Sequence, residues 1–215
     1  KFKDLWGDKG VFTTMRILGK PSKILFFKKH IKNLIKSLKV YKLNRVNIEK
    51  SILNLIKLNV DKNKSYNHLL RVAVNKKIIS ISLRDRKTPK LRFNLKLINY
   101  KRIDPELKNL KYKLIIKHLS KMDNTTSDVG LCYKKKILES GTSNIFFIKK
   151  NKIYSPSINI YKGVTYDFFK KKLGKIYNKE ILINSLFDYD EILLIGSGKA
   201  VTSIQTIKNI NWRRK

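Results

Sequence analysis

The spacing of apolar residues changes repeatedly along this chain, and this change constrains the fold more than any single motif does. Apolar residues recur every three or four positions over residues 30–38 and about 46–58, as in amphipathic helices, and Asn47 could cap the second helix. Short runs of β-forming residues surround these segments and are separated by turns such as Gly19-Lys20-Pro21. The sequence therefore predicts a mixed α+β protein.

The predicted elements fall on either side of a charged segment at residues 102–106, which we interpret as a linker. The strands predicted before it are residues 11–17, 23–27, 69–75, 78–83 and 91–98. Those predicted after it are residues 145–148, 152–154, 191–195 and 200–204, with helices beginning near Tyr112 and over residues 163–177. We therefore expect two domains, and in the first the helices should cover one face of an antiparallel sheet.

The charge of the chain admits two explanations. The sequence carries 50 Lys and Arg residues against 15 Asp and Glu, a net charge of +35, and such an excess attracts nucleic acids. The lysines are spread along the chain, however, and Asn and Ile are abundant too, which favours a compositional bias at surface positions. No zinc-finger or RNA-recognition pattern is present. A basic nucleic-acid-binding protein stays the alternative to an enzyme.

The cysteine and histidine content limits the chemistry further. A single cysteine, Cys132, excludes an internal disulfide and agrees with a cytoplasmic location. No apolar run has the length of a membrane span. The three histidines, His30, His68 and His118, are scattered, so we expect no metal site.

Four short stretches contain the residues that are candidates for catalysis or cofactor binding. Lys111 offers an amine, and Glu139 offers a carboxylate that is followed by the small polar residues 140–144. Residues 163–165 open a predicted helix, whose N–H groups suit a phosphate, and Gly196-Ser197-Gly198 forms a turn between two strands. Each stretch alone has an ordinary explanation as a surface lysine, a strand end, a helix start or a turn. Together they supply the groups needed to hold pyridoxal phosphate (PLP).

In this order, the four stretches resemble the class IV aminotransferases, the fold-type IV PLP enzymes. Residues 139–147, Glu-Ser-Gly-Thr-Ser-Asn-Ile-Phe-Phe, are close to the family's Glu-Gly-x-x-Ser-Asn-Ile-Phe signature. Residues 7–16 and 30–34 resemble its opening segment and its His-x-x-Arg-Leu helix. Residues 163–165 and 190–197 resemble its Gly-Ile-Thr-Arg turn and its late strand with a phosphate turn.

The resemblance implies a fold and a set of roles. It implies an α+β, two-domain fold-type IV PLP enzyme, with a small α/β sandwich domain at residues 1–103 and a larger, mostly β pseudo-barrel domain that binds PLP at residues 104–215. Lys111 would bind the cofactor covalently and move the proton at the substrate α-carbon, and Glu139 would pair with the pyridine nitrogen. The remaining cofactor-binding residues implied in this way are Ser143, Asn144, Gly163, Val164, Thr165, Gly196 and Ser197.

Departures from the family pattern bear on the activity. Asn33 and Tyr166 stand where the family has arginines. Thr13 stands where its transaminases usually have Glu, and Ile116 where branched-chain aminotransferases typically have Tyr. The residues at positions 13 and 116 favour 4-amino-4-deoxychorismate lyase, with Thr13 as a polar catalytic helper, whereas the loss of the two arginines bears on cofactor binding. The alternative is an aminotransferase acting on D-amino or branched-chain amino acids. The family also implies a homodimer.

Overall fold

The structure is a computed structural model that describes residues 4–43 and 45–215. Contacts divide the chain into two compact units. Unit 1 comprises Lys1–Arg86 and Leu107–Lys113, and unit 2 comprises Lys87–Glu106 and Leu114–Lys215. Among the described residues, no helix has the length and apolar character needed to cross a membrane.

Unit 1 is a four-stranded antiparallel sheet with two helices. The sheet has the strand order β2-β1-β3-β4. In chain order, its elements are β1 (Gly10–Gly19), β2 (Lys23–Ile24), α1 (Phe27–Val40), α2 (Ile48–Asn59), β3 (Tyr66–Asn75) and β4 (Ile79–Asp85).

The core of unit 1 lies between this sheet and the helices. Successive side chains of a strand point to opposite faces, so alternate residues of β1 and β3 meet the apolar stripe of α1 and α2. The fully buried members of this core include Val11, Met15, Ile17, Leu70, Val72, Val74, Ile31 and Ile52. The predicted packing of helices on one sheet face is thus confirmed, but the strand predicted over residues 91–98 belongs to the sheet of unit 2.

Two details of unit 1 differ from the sequence prediction. The strand predicted over residues 23–27 is only two residues long, because α1 already begins at Phe27. Asn47 does precede α2, but its side chain makes no capping hydrogen bond. Its backbone instead adopts the left-handed conformation, with φ 53°, which asparagine tolerates better than most residues.

Unit 2 is built on one large mixed sheet. The sheet has the strand order β10-β9-β8-β12-β13-β5-β6-β7-β11, and β14 pairs with β13. Two 3₁₀ helices, Asn184–Asp188 and Lys208–Ile210, complete the unit. In chain order, its elements are β5 (Phe93–Asn99), α3 (Lys113–Leu119), β6 (Ser127–Tyr133), β7 (Lys136–Ser140), β8 (Asn144–Lys149), β9 (Lys152–Pro156), α4 (Val164–Leu173), β10 (Ile176–Lys179), β11 (Ile181–Leu182), β12 (Glu191–Gly196), β13 (Ala200–Ile207) and β14 (Trp212–Arg213).

The core of unit 2 collects side chains from strands that are far apart in this order. Its buried members include Leu95, Ile137, Phe147, Leu194, Ile204 and Trp212. Phe147 of β8 and Ile137 of β7 belong to the same cluster, although their strands lie far apart in the sheet. The sheet must therefore curve around this core. The two units confirm the predicted α+β class, with strands predominating in unit 2.

The predicted turn at residues 150–151 is confirmed, whereas one predicted helix is too long. Lys150 and Asn151 join β8 to β9 with φ values of 47° and 58°, as a tight hairpin turn requires. The helix predicted over residues 163–177 ends at Leu173, because Gly174 takes φ 74° and the chain turns into β10. The sequence prediction also missed β6, which pairs with β5 and β7.

Candidate active site

The turn between β7 and β8 is held by the hydroxyl of Ser140. This oxygen accepts the backbone N–H groups of Thr142 at 3.2 Å and Ser143 at 2.8 Å. The backbone N–H of Ser140 donates in turn to the carbonyl oxygen of Ser143 at 2.9 Å. The small polar residues predicted beside Glu139 therefore form a fixed turn, which orients Ser143.

Asn144, the first residue of β8, clamps the segment that leads into α4. Its side-chain amide donates to the carbonyl oxygen of Tyr161 at 2.6 Å, and its oxygen accepts the N–H of Gly163 at 3.1 Å. Both ends of this buried side chain are thus bonded to backbone. Asn144 fixes the position of the helix start and acts as a support for the site.

The start of α4 and the turn after β12 meet at their hydroxyl groups. Gly163 precedes the helix without any side-chain cap, so the first-turn N–H groups, including those of Val164 and Thr165, keep the donor character of a helix N-terminus. The hydroxyl oxygens of Thr165 and Ser197 are 3.5 Å apart. Two hydroxyls beside a helix N-terminus form a donor set that suits a phosphate group.

Gly196 allows the turn after β12 to approach Ser143 closely. The strand pairing sets Ile195 opposite Asn144, so the end of β12 lies beside the start of β8. A Cβ atom on Gly196 would lie only 2.7 Å from the Ser143 hydroxyl oxygen. Unit 2 thus brings together seven of the predicted cofactor-binding residues, which are Ser143, Asn144, Gly163, Val164, Thr165, Gly196 and Ser197.

Glu139 is buried and carries an ion pair that the sequence did not predict. The Nε of Arg102 donates to Glu139 Oε1 at 2.6 Å, and the N–H of Tyr161 donates to Oε2 at 3.3 Å. Arg102 also donates to the carbonyl oxygen of Pro105. A guanidinium at this distance stabilises the ionised carboxylate. Because Tyr161 bonds to Asn144 as well, the carboxylate belongs to the same hydrogen-bond network as this cluster of predicted cofactor-binding residues.

The two predicted catalytic residues belong to unit 1. Thr13 is buried on β1, and its hydroxyl oxygen lies 2.7 Å from Nδ1 of His30. Burial, assisted by the positive charge of Lys108, lowers the pKa of His30 from 6.5 to about 3. The imidazole is therefore neutral near pH 7, and it orients the Thr13 hydroxyl. The role of Thr13 toward a substrate stays a prediction.

The segment that carries Lys111 contains a second amine of interest. The backbone N–H of Lys111 donates to Asn109 Oδ1 at 3.1 Å. The Lys108 ammonium lies 5.0 Å from the centre of the Phe12 ring, and its charge reaches His30. Sequence reasoning missed Lys108 because a chain with 50 basic residues gives no local signal that distinguishes one lysine.

The residues of unit 2 fit a phosphorylated pyridine ring. The cluster supplies hydroxyl and N–H donors for a phosphate and, in Glu139, an ionised carboxylate for a protonated ring nitrogen. The glycine at position 196 leaves space that a Cβ atom would fill. Tyr166, which replaces a family arginine, is buried and donates its hydroxyl to Asn178, so it supports α4 by packing.

Over residues 4–43 and 45–215, no group of three or more His, Cys, Asp or Glu side chains is suited to a metal ion.

Comparisons with known proteins agree with this geometry. A sequence model of the family described as amino-transferase class IV matches residues 10–207. None of the curated proteins matches the chain. Among solved structures, the branched-chain aminotransferase of Thermoproteus uzoniensis, solved with norvaline, has a TM-score of 0.80 at 17% identity, covering 96% of this chain and 80% of that one.

Two other solved structures are similarly close. A protein of Legionella pneumophila, provisionally described as a 4-amino-4-deoxychorismate lyase, has a TM-score of 0.75 at 17% identity, covering 96% of this chain and 86% of that one. The branched-chain amino acid aminotransferase of T.th., solved with N-(5'-phosphopyridoxyl)-L-glutamate, has a TM-score of 0.78 at 19% identity, covering 100% and 82%. At these identities the structures share a fold, whereas the family pattern extends over nearly the whole sequence. This chain therefore belongs to the class IV aminotransferase family.

Proposed function

We propose that this protein is a lyase that cleaves 4-amino-4-deoxychorismate to 4-aminobenzoate and pyruvate, a step of folate synthesis. Membership of the class IV family makes the chain a PLP-dependent enzyme, and the finer assignment is our proposal. When bound, PLP supplies an aldehyde for the substrate amine and a protonated ring that withdraws electrons from the α-carbon.

The phosphate of the cofactor would be held by the cluster of unit 2. The hydroxyls of Thr165 and Ser197 and the N–H groups at the start of α4 are its donors. Ser143 adds a hydroxyl next to Gly196, and Asn144 keeps Gly163 in place. The helix dipole and these neutral donors would compensate part of the negative charge of the phosphate, and Tyr166 in α4 stands where the family has an arginine.

Glu139 would hold the proton on the pyridine nitrogen. Its carboxylate is kept ionised by Arg102, and the N–H of Tyr161 limits its rotation. A carboxylate has about four lone-pair positions, so it can accept from several donors at once, and a ring N–H would be one of them.

The covalent amine comes from the segment Leu107–Lys113. The family resemblance assigns it to Lys111, whereas the surroundings in unit 1 favour Lys108. The Lys108 amine packs against Phe12 and lies within electrostatic reach of the neutral His30, so it is held in place as a nucleophile needs to be. The chosen lysine would bind the cofactor and move the proton at the substrate α-carbon.

The observation that carries the lyase proposal is the pair formed by Thr13 and His30. The family's transaminases usually carry a glutamate at the Thr13 position, and here a hydroxyl bonded to a neutral imidazole takes its place. The two products together contain all atoms of the substrate, so the lyase reaction needs no amino acceptor. A transaminase, by contrast, must also bind a 2-oxo acid.

An assay with purified protein and added PLP separates the candidate functions. We expect 4-aminobenzoate to form from 4-amino-4-deoxychorismate without any 2-oxo acid. Strict dependence on 2-oxoglutarate, with transfer of the amino group from a D-amino or branched-chain amino acid, would replace the lyase by the aminotransferase alternative. A protein with no PLP absorbance and with tight, steeply salt-dependent RNA or DNA binding would reject both.

Borohydride reduction followed by peptide mapping identifies the lysine. We expect the reduced cofactor on Lys108 and the loss of cofactor absorbance in Lys108→Ala, with the band retained in Lys111→Ala. The reverse pattern would assign the role to Lys111. We also propose that the enzyme is a homodimer located in the cytoplasm, and light scattering after gel filtration tests the dimer.

A further inference from the structure

Asp128 is the buried acid of unit 2 that the proposed chemistry leaves unused. It lies on β6 and is inaccessible to solvent. Its Oδ2 accepts the hydroxyl of Thr142 at 2.6 Å and that of Ser140 at 3.2 Å, and its Oδ1 accepts the N–H of Val129 at 2.8 Å. A carboxylate taken out of water needs such donors, and two of the three come from the turn that carries Ser143.

The hydrogen bond between Ser140 and Asp128 also affects how the Ser140 hydroxyl binds the backbone of the turn. A hydroxyl has one proton to donate and two lone pairs to accept with. Because Asp128 receives the Ser140 proton, the lone pairs of Ser140 remain for the N–H groups of Thr142 and Ser143. An acceptor at position 128 therefore determines which way the Ser140 hydroxyl points.

Gly141 allows the turn to lie directly on Asp128. A Cβ atom at Gly141 would lie 3.1 Å from Asp128 Oδ1 and 2.7 Å from Cγ2 of Val129. The N–H of Gly141 donates to the carbonyl oxygen of Val129 at 2.8 Å. The turn is thus held against β6 by backbone and side-chain bonds together.

The second turn of the phosphate-binding cluster supplies a charge that acts on the same carboxyl group. Lys199, which follows Gly196-Ser197-Gly198, is only 8% exposed and donates its ammonium to the carbonyl oxygen of Asn124 at 2.7 Å. Burial raises the pKa of Asp128, and the positive charge of Lys199 opposes that rise. The first turn therefore contacts Asp128 through hydrogen bonds, and the charge of Lys199 beside the second turn acts on the same carboxyl group only electrostatically.

We propose that Asp128 is a positioning residue for the cofactor phosphate, which it serves by fixing the Ser140–Ser143 turn through the hydroxyls of Ser140 and Thr142. This inference rests on the proposed function, because it assumes that the cluster binds the phosphate of PLP.

The test compares two ligands that differ only in the phosphate. Dissociation constants for PLP and for pyridoxal, measured by absorbance titration, give a ratio that isolates the contribution of the phosphate. In Asp128→Asn, one accepting oxygen becomes an NH₂ donor, so either the two hydroxyls or the Val129 N–H lose their acceptor, and we expect the preference for PLP to fall by about tenfold. Thr142→Val removes one bond while keeping the shape, and a fall of about threefold is expected. Asp188→Asn, an exposed acid of the same unit, is the matched control and should keep the ratio.

The outcomes distinguish a failure of the role of Asp128 from a failure of the proposed phosphate site. A variant that merely loses stability binds both ligands less well and leaves their ratio unchanged. If the wild-type protein prefers PLP and both variants retain that preference, the role of Asp128 is refuted and the phosphate site stands. If the wild-type protein does not prefer PLP over pyridoxal, the proposed phosphate site fails, and the role of Asp128 fails with it.

Discussion

His30 makes the stability of unit 1 depend on pH in a way that can be calculated. Its folded-state pKa is about 3 and its ordinary value is 6.5, because burial and the charge of Lys108 disfavour the imidazolium. A lowered pKa stabilises the fold at pH values above 6.5, and this contribution is lost as the pH falls toward 3. The loss is about 1.4 kcal/mol per pH unit, so lowering the pH from 7 to 5 removes about 2 kcal/mol. Because pH 5 lies well above the folded-state pKa, His30 is still neutral in the folded protein at that pH.

Urea unfolding at pH 7 and pH 5 measures this loss. Fluorine NMR of 5-fluorotryptophan gives separate signals for the two tryptophans, of which Trp6 reports unit 1. We expect the pH-dependent loss to disappear in His30→Gln and to persist in His118→Gln, a histidine of unit 2. The reasoning is refuted if wild type and His30→Gln lose the same free energy of unfolding between the two pH values, whatever their absolute stabilities.

Two further predictions concern the site in unit 2. Gly196→Ala places a Cβ against the Ser143 hydroxyl and should weaken PLP binding by about tenfold; an unchanged dissociation constant in an absorbance titration would contradict the importance of this contact. Arg102→Met leaves the Glu139 carboxylate buried without its partner and should cost about 3–5 kcal/mol of unfolding free energy. Lys136→Met breaks an exposed ion pair and should cost less than about 1 kcal/mol; equal costs in urea unfolding would contradict the assigned burial.

The sequence predicted correctly those elements whose structure depends mainly on neighbouring residues. The apolar spacing of residues 30–38 predicted α1, and the turn at residues 150–151 joined two strands as expected. The end of α4 was misplaced although Gly174 offers a stop signal, because the apolar residues beyond it belong to β10 and continue the helical spacing by coincidence.

The partners of the site residues were not predictable in the same way. The predicted cofactor-binding residues were selected because small polar residues and glycines at strand and helix ends resemble the family signatures, and their role stays a prediction. Arg102 was interpreted as part of a linker, since its pairing with Glu139 spans 37 positions and depends on the assembled sheet. Asp128 gave no signal either, because a buried acid is identified by its neighbours and not by its own residue type.

The position of β5 has a consequence for how the protein is made. This strand lies between β13 and β6, and both pairings are parallel. During translation β5 leaves the ribosome long before β13 exists, so one of its edges has no partner until synthesis of the sheet is nearly finished. Exposed strand edges promote association between nascent chains, and β5 is therefore where we expect a chaperone to protect this protein during synthesis.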